Sequence, residues 1–273
     1  MAAAIDQTRR GWSKVRYSPS TVLQVLAAPV LLLLCWELAV RLDFLPQTLI
    51  ASPSQVAATL LSSTFALGLF THISVSLLRL LAGFMIGTLL GVTFGTIVGL
   101  SRVGARLFEP TILSLIPIPP IAWIPLLIIL LGIGDESKVA LISVGSFSIL
   151  FIHTSYGIRA TDKNLVEVAN VLGKSNMSKL RRILLPSALP GMLSSLRVAM
   201  AMSWTLLIAS EVIASSKGLG WLIWSARNFS RPDEMIAGMV VVGILGKTTD
   251  WLLVLAERYL TRWRATYSDI ADV

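Results

Sequence analysis

Apolar residues run along this chain in long blocks separated by short polar stretches. Residues 18–36, 80–100, 110–134 and 139–158 carry no charge, while residues 189–214 contain only Arg197 and Glu211, and residues 235–255 only Lys247 and Asp250. A helix of about 20 apolar residues crosses a hydrocarbon layer of ~30 Å. The pattern therefore predicts an all-α membrane protein of six transmembrane helices, built as a single domain over residues 1–273. The tails are expected at 1–17 and 256–273.

Composition agrees with that reading. Hydrophobic residues make up 55% of the 273 and charged residues 14%, with a mean hydropathy of +0.77, so lipid is the main solvent. The first apolar block runs on into Glu37 and Arg41 without a small-residue cleavage pattern, and is expected to be a retained span. Cys35 is the one cysteine, and His72 and His153 are far apart. Neither a disulfide nor a metal site is expected.

The net charge of +8 would raise nucleic acid in a soluble protein, but here its placement points to the membrane. Six spans put both termini on one side. With the termini inside, fifteen basic residues fall inside: Arg9, Arg10, Lys14, Arg16, Arg102, Arg106, Arg159, Lys163, Lys174, Lys179, Arg181, Arg182, Arg258, Arg262 and Arg264. Five fall outside: Arg41, Lys138, Lys217, Arg227 and Arg231. The positive-inside rule then predicts a multi-pass bacterial inner-membrane protein with cytoplasmic termini, and no nucleic-acid partner.

Two spans have internal signatures. Gly83, Gly87, Gly91, Gly95 and Gly99 place bare backbone along one face of the second span, which predicts a close-packed neighbouring helix. Pro110, Pro117, Pro119, Pro120 and Pro125 crowd the third, which must be kinked or partly unwound. Residues 117–123 are thus a candidate lining of a translocation path, beside the plainer reading of an irregular packed helix. Between spans one and two, Ser52-Pro53-Ser54-Gln55 has the order of a capping box and predicts a short helix at the outer surface.

The connection 159–190 is the longest on the inner side. Asp162 can cap a helix in which Leu165, Val168, Ala169 and Leu172 repeat at i, i+3, i+4 and i+7, and Gly173 can end it. Ser175 can start a second, basic helix that is expected to end at Pro186. The apolar stripe must be covered, either by the feet of the chain's own spans or by a partner's groove.

Glu167-Val168-Ala169, Gly173 six residues after the glutamate, and Ile183-Leu184-Leu185-Pro186 resemble the EAA loop of bacterial ABC importer permeases. Only Val168 departs from the pattern. The resemblance covers almost the whole chain and is nearest to the nitrate, taurine and aliphatic sulfonate permeases. It also rests on Ser76-Leu77-Leu78-Arg79, Ala122-Trp123-Ile124-Pro125, Gly218-Leu219-Gly220-Trp221 and Glu257-Arg258. It implies the type I importer permease fold, with Glu167, Val168, Ala169, Gly173, Ile183, Leu185 and Pro186 forming an ATPase-coupling loop. It further implies two ATP-binding cassette subunits that carry ATP and Mg, a periplasmic or lipid-anchored binding protein, and a second permease copy. No cofactor belongs to this chain. The expected cargo is a small anion, with an unrelated nutrient such as a pyrimidine vitamin precursor, or ion-coupled transport without an ATPase, as alternatives.

Gly246-Lys247-Thr248 imitates the end of a phosphate loop, but Val241 stands where its first glycine is needed. Lys247 and Asp250 are instead expected to pair. Charges in lipid cost ~3 kcal/mol on insertion scales, so Glu37, Arg79, Arg197 and Glu211 need partners or water. Arg79 and Arg197 can contribute to anion binding, with structural pairing as the plainer role. Glu211 suits pairing or gating. With Pro117, Pro120 and Trp123, these three complete the candidate translocation path.

Overall fold

The computed structural model describes residues 19–261, with side chains from residue 27 onward apart from residues 63, 64, 163 and 176. The basic residues at 9, 10, 14, 16, 262 and 264 lie outside the described residues, as do tail 1–17 and most of tail 256–273. Eleven α-helices follow in order: α1 (Pro19–Arg41), α2 (Pro53–Leu61), α3 (Ser63–Leu100), α4 (Arg102–Leu115), α5 (Ile124–Leu131), α6 (Asp135–Arg159), α7 (Lys163–Val171), α8 (Asn176–Lys179), α9 (Leu185–Ala214), α10 (Leu219–Asn228) and α11 (Pro232–Leu260). A 3-10 turn (Pro120–Trp123) precedes α5, and a π turn (Leu180–Leu184) joins α8 to α9.

Among the described residues, α3, α6, the fused α8–α9 helix and α11 are each long and apolar enough to cross a bilayer, and α4 with α5 supplies a bent fifth span. Four or five of the six expected spans are thus found among the described residues, and α1, 23 residues long, presents Leu31, Leu32 and Leu34 outward.

The centre of the bundle is α3 against α6. A Cβ placed on Gly83, Gly87, Gly91, Gly95 or Gly99 would come within 2.6 to 3.0 Å of the Cβ of Ile142, Ser146, Leu150, Thr154 or Ile158 respectively. Each step of four residues on α3 is thus matched by four on α6, and the predicted close neighbour is in place along more than four turns. Ser143 Oγ adds a hydrogen bond to the Gly83 carbonyl at 3.0 Å. On its other side α6 meets α9, where Ser146 and Ser203 hydroxyls lie 2.9 Å apart and Leu206 fills the space over Gly145. Leu80, Leu141, Leu150 and Leu207 are completely or almost completely buried between these three helices.

The proline-rich span is partly unwound, as its prolines predict, with residues 116–119 outside any helix between α4 and the 3-10 turn. It begins at Arg102, so Arg102 and Arg106 are helical and not part of a connecting loop, and α4 and α5 meet at 89°. The prolines explain the break. Pro120 and Pro125 occupy first-turn positions of the 3-10 turn and of α5, where a missing N–H removes no hydrogen bond. Pro119 is extended at ψ 130°.

At the end of the bundle where α6 begins, the capping box of α2 is formed. Ser52 Oγ accepts from Gln55 N–H at 3.3 Å, and Gln55 Oε1 accepts from Ser52 N–H at 2.9 Å. The same helix start satisfies Glu37, which accepts from Ser54 N–H (3.0 Å) and Ser54 Oγ (2.8 Å) and pairs with Arg41 at 2.6 Å. A carboxylate held at a helix N-terminus is stabilised by the helix dipole as well. At the opposite end Arg159 makes two bonds to Glu109 (2.8 and 2.7 Å) and one to the Val98 carbonyl, tying together α3, α4 and α6.

Candidate functional site

The connection 159–190 folds as two linked helices. Asp162 caps α7 by accepting from Asn164 N–H at 2.9 Å. Gly173 closes it with φ +65°, its own N–H bonding to Asn170 O and the next N–H to Ala169 O, both at 3.0 Å. Ser175 starts α8, accepting from Ser178 N–H on its hydroxyl.

Pro186 does not end that helix. The chain runs on through the π turn into α9, and Leu185 N–H reaches back five residues to Leu180 O. A proline ring clashes with the carbonyl four residues earlier, and the wider turn moves that carbonyl away. Nor does the fifth span start at residue 189, because the helix is already under way at Asn176.

Of the apolar stripe, only Ala169 is buried, at 3% exposure. Leu165, Val168 and Leu172 are exposed, and so are Val171 and Met177. Leu165, Val168, Leu172 and Ile183 wall a nearly apolar groove of about 210 Å³ between α7 and the π turn. Glu167 is exposed, and Ile183, Leu185 and Pro186 are half-buried. Within the described residues, the stripe is left uncovered by the chain's own spans.

At the other end of the bundle Arg79, Glu211 and α10 form a buried knot. Arg79, 7% exposed, donates to Asp135 (2.6 and 2.9 Å), Glu211 (2.9 Å), Ser215 Oγ (3.2 Å) and the Lys217 carbonyl (2.8 Å). Glu211, fully buried, also accepts from Ser76 Oγ at 2.7 Å and Gly220 N–H at 2.8 Å. Leu219 N–H donates to Ser76 Oγ, and Gly218 N–H to His72 Nδ1, whose ring stacks on Trp221. Three successive N–H groups at the start of α10 are therefore received by α3 and α9. Gly218, at φ +124°, has Glu211 against the position a Cβ would take, so the chain can enter α10 only as glycine. Lys138, expected in an outer loop, sits instead in the first turn of α6, 3% exposed, donating to the carbonyls of Ile133 (3.2 Å) and Gly134 (2.8 Å).

The remaining candidates are dispersed. Trp123 borders an apolar cavity of about 170 Å³ with Ile116 and Phe147, Pro117 is exposed and Pro120 half-buried. Arg197 pairs with Asp250 at 2.8 Å, and Lys247 joins the same carboxylate at 3.2 Å. The expected Lys247 pair exists, but Asp250 has a second and closer partner. Gly246-Lys247-Thr248 lies within unbroken α11, which offers no loop to cradle a phosphate.

Residues 83–262 match the family described as binding-protein-dependent transport system inner membrane component. The chain belongs to this family. The permease is 32% identical, over 95% of its length and 90% of the relative's, to a provisionally named aliphatic sulfonates transport permease protein of Bacillus subtilis (strain 168). It is 31% identical to the taurine transport system permease protein of Escherichia coli (strain K12), over 90% of this chain and 91% of that one. Its fold is that of a chain from an inward-facing MetNI methionine ABC transporter, with TM-score 0.61 at 19% identity, covering 76% of this chain and all of the other.

The permease is accordingly a multi-pass transport component, and its family implies association with an ATPase and a substrate-binding component. Two parts of its site had no signal in the residue pattern. The first is α10, ten residues long, hidden in what reads as a connecting loop. The second is Asp135 as partner of Arg79, which lies 56 residues away.

Proposed function

We propose that this permease forms a homodimer that moves a small anion of the sulfonate class inward across the bacterial inner membrane, coupled to two ATPase subunits and supplied by a periplasmic or lipid-anchored binding protein. The uncovered apolar face of α7, displayed at the spacing of the EAA loop, carries the reading. A stripe of exposed Leu165, Val168 and Leu172 on an ordered helix needs a groove to enter, and the ATPase supplies one. The cargo class follows the sulfonate and taurine permeases that the chain resembles. ATP and Mg belong to the ATPase. Its closure displaces α7, α8–α9 moves with it, and the path alternates between the two sides.

Glu167→Lys should leave the permease inserted but prevent co-purification with its ATPase, as should Gly173→Val, which forces a branched residue to φ +65° at ~1–2 kcal/mol. A normal complex with normal uptake in both variants would remove the coupling role of the loop. The positive-inside bias places α7 in the cytoplasm, so a reporter fused after Lys174 should report cytoplasmic, and a periplasmic signal would reverse the topology. Competition of uptake by taurine, an alkanesulfonate, nitrate and a pyrimidine vitamin precursor decides the cargo. Competition by the pyrimidine alone would refute the anion reading.

A further inference from the structure

Two spans end together at one end of the bundle. Gly99 lies against Ile158, so α3 stops at Leu100 level with α6 stopping at Arg159. Residues 139–158 of α6 carry no charge, and 20 helical residues cover the ~30 Å of a hydrocarbon core, which puts Arg159 at its edge. Ser101 caps both the end of α3 and the start of α4. From there α4 turns back along α3, with Gly104 against Ile97 and Phe108 against Phe94. The first two turns of α4 therefore lie at the membrane boundary.

Their surface carries two parallel rows. Arg102 and Arg106, one turn apart, are exposed, and neither side chain has an ion-pair or hydrogen-bond partner among the described residues. Beside them Val103 and Leu107, also one turn apart, are each 65% exposed. The carboxylates at this end are engaged elsewhere. Glu109 gives both oxygens to Arg159, at 2.8 and 2.7 Å, and Asp162 caps α7. Even with both carboxylates counted against Arg102, Arg106 and Arg159, a positive charge is left over, and the two arginines without partners carry it.

We propose that Arg102 and Arg106 hold the phosphate of an anionic phospholipid whose acyl chain lies along Val103 and Leu107. A cationic row beside an apolar row, at the edge of the hydrocarbon, fits a partner that is anion and hydrocarbon in one molecule. Side chains one helical turn apart start ~6 Å from each other and can reach a single phosphate. The guanidinium fork matches its oxygens. The positive-inside orientation assigns the lipid to the cytoplasmic leaflet. The corner that it braces, between α3 and α4, is the single residue Ser101, whose Oγ accepts from Gly104 N–H at 3.1 Å. The lipid site is independent of the cargo.

The test uses the full-length permease purified with its ATPase in a neutral detergent. Native mass spectrometry counts bound lipid as phosphatidylglycerol, or phosphatidylcholine with the same acyl chains, is titrated in. Phosphatidylglycerol is expected to bind the wild type roughly 10-fold more tightly or better. Arg102→Gln with Arg106→Gln should bring that preference towards 1. Lys174→Gln with Arg181→Gln, which removes two exposed cations from the same end, should leave it in place. Val103→Ser with Leu107→Ser keeps both arginines and should weaken phosphatidylglycerol several-fold. Inorganic phosphate in large excess should not displace the lipid. No preference in the wild type, or equal loss in the two charge variants, overturns the site, the second result meaning diffuse surface charge. Displacement by inorganic phosphate overturns it in favour of a free-anion site. Loss of the ATPase from the Arg102 and Arg106 variant, with its lipid preference intact, overturns it in favour of a protein contact.

Discussion

Replacing Glu211 with leucine should lower the stability of the permease by about 3–5 kcal/mol, the usual consequence of removing one partner from a buried ion pair. Three donors lose their acceptor at once: Arg79 Nη1 at 2.9 Å, Ser76 Oγ at 2.7 Å and Gly220 N–H at 2.8 Å. Arg79 retains Asp135, but that carboxylate is 64% exposed and compensates a 92%-buried guanidinium side chain poorly. The start of α10 would lose its anion as well. The thermal unfolding midpoint in detergent should fall by roughly 10 °C for a chain of this size. Adding Arg79→Leu should restore part of the loss, because the pair removed together leaves no orphaned charge. A melting point equal to that of the wild type, or a double variant as damaged as the sum of its parts, would count against the knot as a stabilising unit.

Gly87→Leu should be worse, with little folded protein recovered. A Cβ at this position meets Ser143 O and comes 2.8 Å from Ser146 Cβ, and a backbone carbonyl in a packed helix cannot rotate away. α3 and α6 would have to separate along their length, losing the alignment at Gly83, Gly91 and Gly95 too. Overpacking of an ordinary core costs about 1–3 kcal/mol, and this site lacks the flexible neighbour that keeps the cost there. Gly246→Ala is the matched control. With nothing within 4 Å it should change stability by no more than about 1 kcal/mol, in the favourable direction. Equal yields and melting points for the two variants would contradict the role of the glycine ladder.

The features legible in the sequence were those set by residues close together in the chain. Five glycines four apart expose backbone on one helical face whatever lies opposite, and Ser52 with Gln55 closes its capping box within one turn. The same holds for Asp162 and Gly173 at the ends of α7. The proline break was foreseeable, but its 89° angle was not, since it depends on how α5 lies against α6. What escaped was long-range. Glu211 finds Ser76 135 residues away, and Gly218 finds His72 at 146. Those pairings decide that α10 is an inserted helix and not a surface loop. Pro186 escaped for another reason: the rule that proline ends a helix assumes 3.6 residues per turn, and one π turn suspends it.

The uninterrupted run of 38 helical residues from Met177 to Ala214 is also a mechanical object. At 1.5 Å per residue it is a beam of about 57 Å. A tilt of about 10° around its middle carries each end through about 5 Å, one inward and one outward. The foot of the beam bears the groove against α7, and its head bears Glu211. A displacement applied at the foot therefore reaches the α10 anchor as leverage, in a single step and without a relay of intermediate contacts. The one compliant point is the π turn at Leu180–Leu184, so stiffening it would alter how much of an applied stroke reaches the far side.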